Sequence, residues 1–149
     1  MLRTMTIWGA QPFDNDGAVD WAFLLVRGSD LSLVEFALAR IEATGSDPVP
    51  EPAGVEAIAA CEVLARLKGA PGQWNEYADL VGTWAATGYP LEPSAELIAR
   101  GRAAILRIQE GPSKLRDLWD QNGAEAWRAA LADLDSRLAA DSVRAGQRP

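Results

Sequence analysis

Apolar residues recur at intervals of three and four positions along most of this chain, and this spacing limits the fold more than any other feature. In Ser94–Glu110, for example, the recurring residues are Leu97, Gly101, Ala104, Ile105 and Ile108. An α-helix turns once in about 3.6 residues, so residues at this spacing share one side of it and can be buried together. The chain is therefore predicted to be all-α.

Glycine, proline and small polar residues separate the periodic stretches and predict six or seven helices. The first expected helix begins within Asp14–Asp16 and ends at Gly28. The other expected helices cover residues 32–44, 53–68, 74–86, 94–110, 113–121 and 124–140. Ser46–Pro52 is predicted to be a loop because it contains three prolines. Residues 1–140 are long enough for one compact domain with its own core, whereas residues 141–149 lack an apolar face and are expected to be a flexible tail.

Three local patterns give more detailed expectations. Residues 1–13 favour an extended N-terminal arm with at most one short strand, because Gly9 and Pro12 interrupt it. Ser32 with Glu35 three positions later matches a capping box at the start of the second helix. In the first helix, the expected buried stripe is Ala18, Trp21, Leu24 and Leu25.

The sequence contains no histidine and a single cysteine, Cys61. Histidine is the commonest general base and metal ligand, so Ser-His-Asp, Cys-His and zinc-histidine sites are excluded, and a zinc site built from several cysteines is excluded too. Cys61 lies in an apolar helical run and is predicted to be a buried, inert thiol in a reducing compartment. No metal or other cofactor is expected.

The net charge of −7 is unevenly distributed along the chain. Residues 1–96 contain 14 acidic and 5 basic side chains, whereas residues 97–149 contain 7 acidic and 9 basic ones. An acidic first half disfavours nucleic acid as a ligand and is compatible with a basic protein partner, or with solubility alone. The longest apolar run, Trp21–Val26, is too short to span a membrane, and no signal peptide is visible, so a cytoplasmic protein is expected.

The stretch Trp8–Trp21 is the densest in aromatic and acidic residues. Its candidate binding residues are Trp8, Phe13, Asp14, Asn15, Asp16, Asp20 and Trp21. In one interpretation, the rings fasten the N-terminal arm to the helical core while the short polar side chains fix a turn and cap the first helix. In the other, the rings are exposed anchors for a partner and are surrounded by negative charge.

The pattern Trp8-Gly9-x-x-x-Phe13-Asp14-Asn15-Asp16-x-Ala18-x-Asp20-Trp21 resembles the start of a bacterial family known as domain of unknown function 4259. Weaker similarity continues through Ala59–Val63, Lys114–Asp120 and Trp127–Leu131, and the resemblance covers nearly the whole chain, to about Leu138. The usual start of the family aligns with Met5 rather than Met1, so residues 1–4 are expected to be an upstream extension. The resemblance implies no established activity.

Three functional hypotheses follow. The first is a non-catalytic interaction module, such as an immunity or antitoxin-like protein that binds a basic partner. The second is a hydrolase, metal-dependent or based on carboxylates alone, that uses Asp14, Asp16 and Asp20. The third is a homo-oligomer joined through the apolar side of the last helix, from Trp127 to Leu138.

Overall fold

The computed structural model of the chain describes residues 7–72, 74–86 and 92–140. Over these residues the chain forms a compact all-α bundle, as the sequence predicts. The seven helices are α1 (Asp16–Leu25), α2 (Ser32–Glu42), α3 (Glu51–Leu67), α4 (Glu76–Ala85), α5 (Ala95–Glu110), α6 (Lys114–Asn122) and α7 (Glu125–Ala139). No helix within these ranges combines the length and the apolar character that crossing a membrane requires. The first six residues of the predicted arm and the whole predicted tail, residues 141–149, lie outside the described residues.

Helix α3 lies at the centre of the bundle and contacts each of the other six helices. Thirteen of its 17 residues are buried, and many of them are alanines, whose small side chains let neighbouring helices approach closely. At Gly54 the approach is so close that an added Cβ would lie 3.2 Å from a methyl carbon of Leu115 in α6. Buried residues extend around most of this helix because partners surround it.

Cys61 occupies the contact between α3 and α5. Its Sγ donates a hydrogen bond to the carbonyl oxygen of Gly101 at 3.3 Å, and an added Cβ on Gly101 would lie 3.3 Å from that sulfur. Burial, together with the negative charges of Glu62 and Asp135, raises the pKa of the Cys61 thiol. The prediction that Cys61 is buried is confirmed, and its raised pKa disfavours the reactive thiolate form.

Short polar side chains begin four of the helices. Asn15, Asn75, Ser94 and Ser113 each precede a helix and accept a hydrogen bond from a backbone N–H of its first turn. The capping box predicted at Ser32 is wrong: Ser32 is already helical, and both its backbone N–H and its hydroxyl donate to Asp30 instead. Helix α3 also begins earlier than predicted, because Pro52 occupies its first turn, where the missing N–H costs nothing.

The buried stripe of α1 differs from the predicted one at a single position. Ala18, Trp21 and Leu25 are buried as expected, but Leu24 is 55 % exposed and Ala22 is buried in its place. In α7 the predicted apolar side is buried against the chain's own core: Trp127, Leu131, Leu134 and Leu138. That side is therefore not available to a second copy of the chain.

Candidate interaction surface

The residues before α1 form a tight loop. Ile7 makes an isolated antiparallel bridge with Asn15, and the backbone N–H of Trp8 donates to the carbonyl oxygen of Asp14 at 2.9 Å. Within the loop, the N–H of Asp14 donates to the carbonyl oxygen of Gln11 at 3.0 Å. The chain thus reverses direction between Trp8 and α1, and the described residues before α1 contain no strand beyond this bridge.

Gly9 and Asp14 depend on one another inside this loop. The Asp14 carboxylate accepts a hydrogen bond from the backbone N–H of Gln11 at 3.1 Å, which folds it back over the loop. A Cβ added at Gly9 would lie 2.3 Å from Asp14 Oδ2 and 2.9 Å from its carboxyl carbon. Glycine is therefore needed at position 9 so that the carboxylate can occupy its place.

Asp14 also joins the starts of two helices. Asn15 caps α1 by accepting the N–H of Ala18 at 2.8 Å, and Asn75 caps α4 by accepting the N–H of Ala78 at 2.7 Å. The amide nitrogen of Asn75 donates in turn to Asp14 Oδ1 at 3.2 Å. Asp14 and Asn15 therefore have structural roles at the turn that the sequence predicts. Asp14 links the starts of α1 and α4, and Asn15 is a buried cap.

Phe13 and Trp21 do not form a binding surface. They are 2 % and 3 % exposed and belong to the main core cluster. The interpretation in which they are exposed aromatic anchors is therefore wrong, because a ring inside the core has no area to offer a partner. Their burial agrees with the other interpretation, in which these two rings fasten the loop and α1 to the bundle.

Trp8, by contrast, is 51 % exposed and joins an aromatic cluster on the surface. Its ring lies 6.4 Å from the ring of Tyr77 in α4, centroid to centroid. Tyr77 contacts Phe23 of α1 edge-on at 6.5 Å, and Phe23 is 49 % exposed. Three rings from the loop, α1 and α4 thus meet at the surface, in the range of distances at which aromatic pairs attract one another.

The two helices that contribute Phe23 and Tyr77 to this cluster also carry carboxylates. Asp16 and Asp20 lie one turn apart on α1, and Glu76 and Asp79 lie one turn apart on α4. None of the four is ion-paired within residues 7–72, 74–86 and 92–140. The sequence contains no lysine or arginine at positions 4–26 or 69–99, so neither α1 nor α4 carries a basic residue that could pair with them.

Two of these carboxylates act on Tyr77. The hydrogen bond to Glu76, followed by the charges of Glu76 and Asp16, raises the pKa of the Tyr77 hydroxyl. This group of residues is called the acidic face below; it comprises Trp8, Asp16, Asp20, Phe23, Glu76, Tyr77 and Asp79. Three of the candidate binding residues, Trp8, Asp16 and Asp20, belong to it.

The other four members of the acidic face were not among the candidates derived from the sequence. Phe23 lies in a continuous apolar run, so periodicity alone did not separate it from its buried neighbours. The residues of α4 are distant in sequence from the first motif. The long interval without basic residues, 69–99, was the one available signal for the α4 half.

The geometry does not favour a metal or hydrolytic centre at Asp14, Asp16 and Asp20. Asp14 is committed to Gln11 and Asn75, and Asp20 is exposed on the side of α1. Among the described residues, no group of three or more acidic or cysteine side chains is placed to hold a metal ion. Behind the loop, a cavity of about 20 Å³ is lined by Gly9, Asn15 and Trp127, which is room for about one water molecule.

The fold and this surface define a small all-α protein whose N-terminal loop is tied to two helix caps and leaves an acidic, aromatic face exposed. The profile of the family described as Domain of unknown function (DUF4259) matches residues 6–130, and the chain belongs to that family. A comparison with curated proteins and a comparison with solved structures found no match.

Proposed function

We propose that this protein is a non-catalytic interaction module of the bacterial cytoplasm, and that its acidic face binds a basic protein partner. The most concrete form of this proposal is an immunity or antitoxin-like protein that covers a basic region of its partner. The proposal rests on one observation: in the described part of the chain, the four carboxylates of the acidic face have no ion-pair partner and lie on the helices that carry the exposed rings, whereas seven carboxylates elsewhere pair with arginines.

The contrast is clear elsewhere on the surface. There, Glu42 pairs with Arg100 at 2.7 Å, Asp135 with Arg102 at 2.9 Å and Asp120 with Arg128 at 2.9 Å. These three pairs are called the paired side below. Their charges cancel locally, whereas the acidic face keeps a negative field that attracts positive groups over a distance of about one Debye length, roughly 8 Å at physiological salt.

Exposed rings beside carboxylates suit basic side chains in particular. An arginine can lie over an aromatic ring while its guanidinium donates to a neighbouring carboxylate. Tyr77 provides the ring, and Glu76 and Asp16 provide acceptors close to it. The exposed area of Trp8 and Phe23 then adds apolar contact, which the charges alone do not supply.

The same charges make self-association through this face unfavourable. In a symmetric dimer each copy presents the same patch, so the carboxylates of one copy would face those of the other. Like charges brought together in this way are repelled. A partner with the opposite charge is therefore the better match for the acidic face.

The hydrolase hypothesis lacks an equivalent observation, because its three aspartates are not brought together as a site. Immunity and antitoxin proteins need no reacting groups, only a complementary surface. The absence of histidine from the sequence fits that requirement.

The proposal can be tested by comparing two variants of equal charge. The first replaces the acidic face carboxylates (Asp16→Asn, Asp20→Asn, Glu76→Gln, Asp79→Asn). The second neutralises four paired carboxylates elsewhere (Glu42→Gln, Asp117→Asn, Asp120→Asn, Asp135→Asn). Each protein is immobilised and exposed to an extract of the native cells, and a retained basic protein is then purified and titrated against all three forms by calorimetry.

Binding to the purified partner is expected to weaken by about tenfold or more in the first variant, and the wild-type affinity is expected to fall as salt is raised. The second variant should bind nearly as well as the wild type. Equal affinities for the first variant and the wild type would contradict the proposal. The same is true if no basic protein is retained in stoichiometric amounts at either low or moderate salt.

A further inference from the structure

A buried carboxylate in the central helix is satisfied in an unusual way. Glu62 of α3 is 2 % exposed, and its side chain accepts four hydrogen bonds. Its Oε2 accepts from Arg66 Nε, from Arg137 Nη1 and from the backbone N–H of Gly72, each at 3.0 Å. Its Oε1 accepts from Arg137 Nη2 at 2.8 Å. The carboxylate is thus shared between α3, α7 and the segment that follows α3.

Arg137 holds the same segment from the other side. Its Nη1 also donates to the carbonyl oxygen of Ala70 at 3.1 Å, and its Nε donates to Asp133 at 2.8 Å. The guanidinium lies so close to Gly72 that an added Cβ there would be 2.6 Å from Nη2. Burial lowers the pKa of Arg137, but the hydrogen bonds and charges of Glu62 and Asp133 outweigh it and raise the pKa overall.

The ion pair is therefore built around the backbone of Ala70–Gly72. An ion pair of this kind is a poor source of stability, because removing two charges from water costs about as much as their attraction returns. Apolar side chains of similar size would fill the same space. What they could not replace is the pair of hydrogen bonds to the carbonyl of Ala70 and the N–H of Gly72.

Helix α4, which follows this segment, depends on such attachments. It has ten residues, including Gly82, and an isolated helix of this length is not stable in water. Several of its side chains attach it to the bundle, and Tyr77, Leu80 and Ala85 pack against the core. Asn75 contacts Asp14 at its start, the indole N–H of Trp84 donates to the carbonyl of Gly28 at 2.7 Å, and Ala78, Val81 and Trp84 are buried.

We propose that Glu62 and Arg137 are positioning residues for the acidic face. They fix Ala70–Gly72, and this fixes where α4 begins and hence where Glu76 and Tyr77 lie beside α1. The inference rests on the proposed function for its biological meaning, because α4 supplies half of the acidic face. Its physical content, that the ion pair controls the docking of α4, holds for the free protein.

Hydrogen exchange measured by mass spectrometry on the free, full-length protein tests this inference. The first variant, Arg137→Lys, keeps the positive charge but loses the two-nitrogen contact that the guanidinium makes with Glu62. The second is the double variant Glu62→Met with Arg137→Met, which replaces the ion pair by apolar side chains of similar length. Arg102→Met, which breaks an exposed pair of the same type, is the matched control.

Exchange in α4 is expected to become at least about tenfold faster in the double variant, relative to the change in α3 and α5, because local opening no longer breaks the hydrogen bonds to Ala70 and Gly72. Arg137→Lys should give a smaller change in the same helix, and Arg102→Met should leave α4 unchanged. A merely structural role would raise exchange in all helices together.

The inference is overturned if α4 keeps its wild-type protection in Arg137→Lys or in the double variant, or if its exchange rises only in proportion to that of α3 and α5. Should the double variant fail to fold, Arg137→Lys decides by the same criterion. These outcomes are independent of any partner. If α4 loosens as expected and no basic partner is found, the positioning role stands and the proposed function fails.

Discussion

The acidic face and the paired side both carry carboxylates and differ in how those charges are satisfied. On the paired side, Arg102 reaches Asp135 with two nitrogens, at 2.9 and 3.2 Å, and links α5 to α7. On the acidic face, Asp16 and Asp20 have no cationic neighbour in the described part of the chain. Negative charge that no described arginine or lysine balances therefore remains on the acidic face.

This difference separates two roles of surface charge, which are pairing within the fold and attraction of a partner. Exposed ion pairs contribute little to stability, typically up to about 1 kcal/mol, but they leave no field for a partner to sense. Unpaired carboxylates contribute nothing to cohesion and repel one another, yet they attract a basic surface. The aromatic residues divide in the same way: Phe13 serves the core, while Phe23 and Trp8 lie exposed beside the unpaired charges.

The largest expected effect distinguishes the two phenylalanines. Phe13→Ala should lower the free energy of unfolding by about 3–5 kcal/mol, because a fully buried ring is removed and a cavity remains. Phe23→Ala removes a ring that is half exposed and should cost less than about 1.5 kcal/mol, mostly from its contact with Tyr77. Urea denaturation of both variants measures the difference.

The affinity for a basic partner should be affected in the opposite order, more by the change at Phe23 than by the change at Phe13. Phe23→Ala is expected to weaken it, whereas a Phe13→Ala protein that is still folded should keep the acidic face. A similar loss of stability in both variants would show that Phe23 belongs to the core and would remove it from the proposed surface.

The next effect concerns the caps that link the loop to both helices. Asn15→Ala and Asn75→Ala should each lower the free energy of unfolding by about 1–2 kcal/mol, because each leaves a first-turn N–H without its acceptor. Asn122→Ala is the matched control. Its amide donates only to the carbonyl of Leu118 at an exposed helix end, so the cost should stay below about 0.5 kcal/mol. Equal costs at all three positions would contradict the role assigned to the caps.

The sequence predicted the helices well and the surface poorly, and the reason is physical. Helical spacing is a local property, so α5 and α7 and their buried sides follow from it directly. A surface patch depends on which helices pack side by side, and Tyr77 meets Phe23 only because α4 packs against α1. Within the apolar run Trp21–Val26, spacing alone did not decide between Ala22 and Leu24 as the buried residue.

The buried ion pair was missed for a related reason. Glu62 lies on the central helix between Cys61 and Val63, and no local pattern marks an acidic residue there as buried. Its partner, Arg137, is on the last helix. Only the three-dimensional arrangement shows that the two meet around the backbone of Gly72.

A smaller effect sharpens the contrast in charge. Asp20→Lys places a cation one turn after Asp16 on α1 and should raise the free energy of unfolding by about 0.3–0.5 kcal/mol at low salt, because a repulsive pair becomes an attractive one. Asp135→Lys places a cation beside Arg102 and should lower it by a similar amount. Urea denaturation at low and at high salt measures both effects, and high salt should diminish them. A loss of stability in Asp20→Lys would mean that Asp20 has a stabilising role of its own.

The smallest expected effect concerns the ion pair of Glu56 with Arg40, which lies outside the acidic face, and it shows whether this pair stabilises the fold. Glu56 pairs with Arg40 at 2.7 Å, yet burial raises the pKa of Glu56 more than the charge and hydrogen bond of Arg40 lower it. A raised pKa means that the folded state holds the proton more tightly than the unfolded state. The contribution of Glu56 to stability is therefore complete below its unfolded pKa, about 4.3, and decreases as the pH rises through the folded value.

Glu56→Gln removes this decrease, so the stability of the variant relative to the wild type should improve between pH 4 and pH 7 in urea denaturation. Asp30→Asn provides the opposite case. Hydrogen bonds from the hydroxyl and the backbone N–H of Ser32 lower the pKa of Asp30, so its contribution is present above its unfolded pKa and is lost as the pH falls. The relative stability of Asp30→Asn should therefore worsen as the pH rises towards 3.8, the ordinary pKa of this carboxyl, and should change little between about pH 4 and pH 7. If the relative stability of both variants worsened as the pH rises, the pairing with Arg40 would outweigh the burial of Glu56. The assigned balance would then be incorrect, and the Arg40 pair would be stabilising.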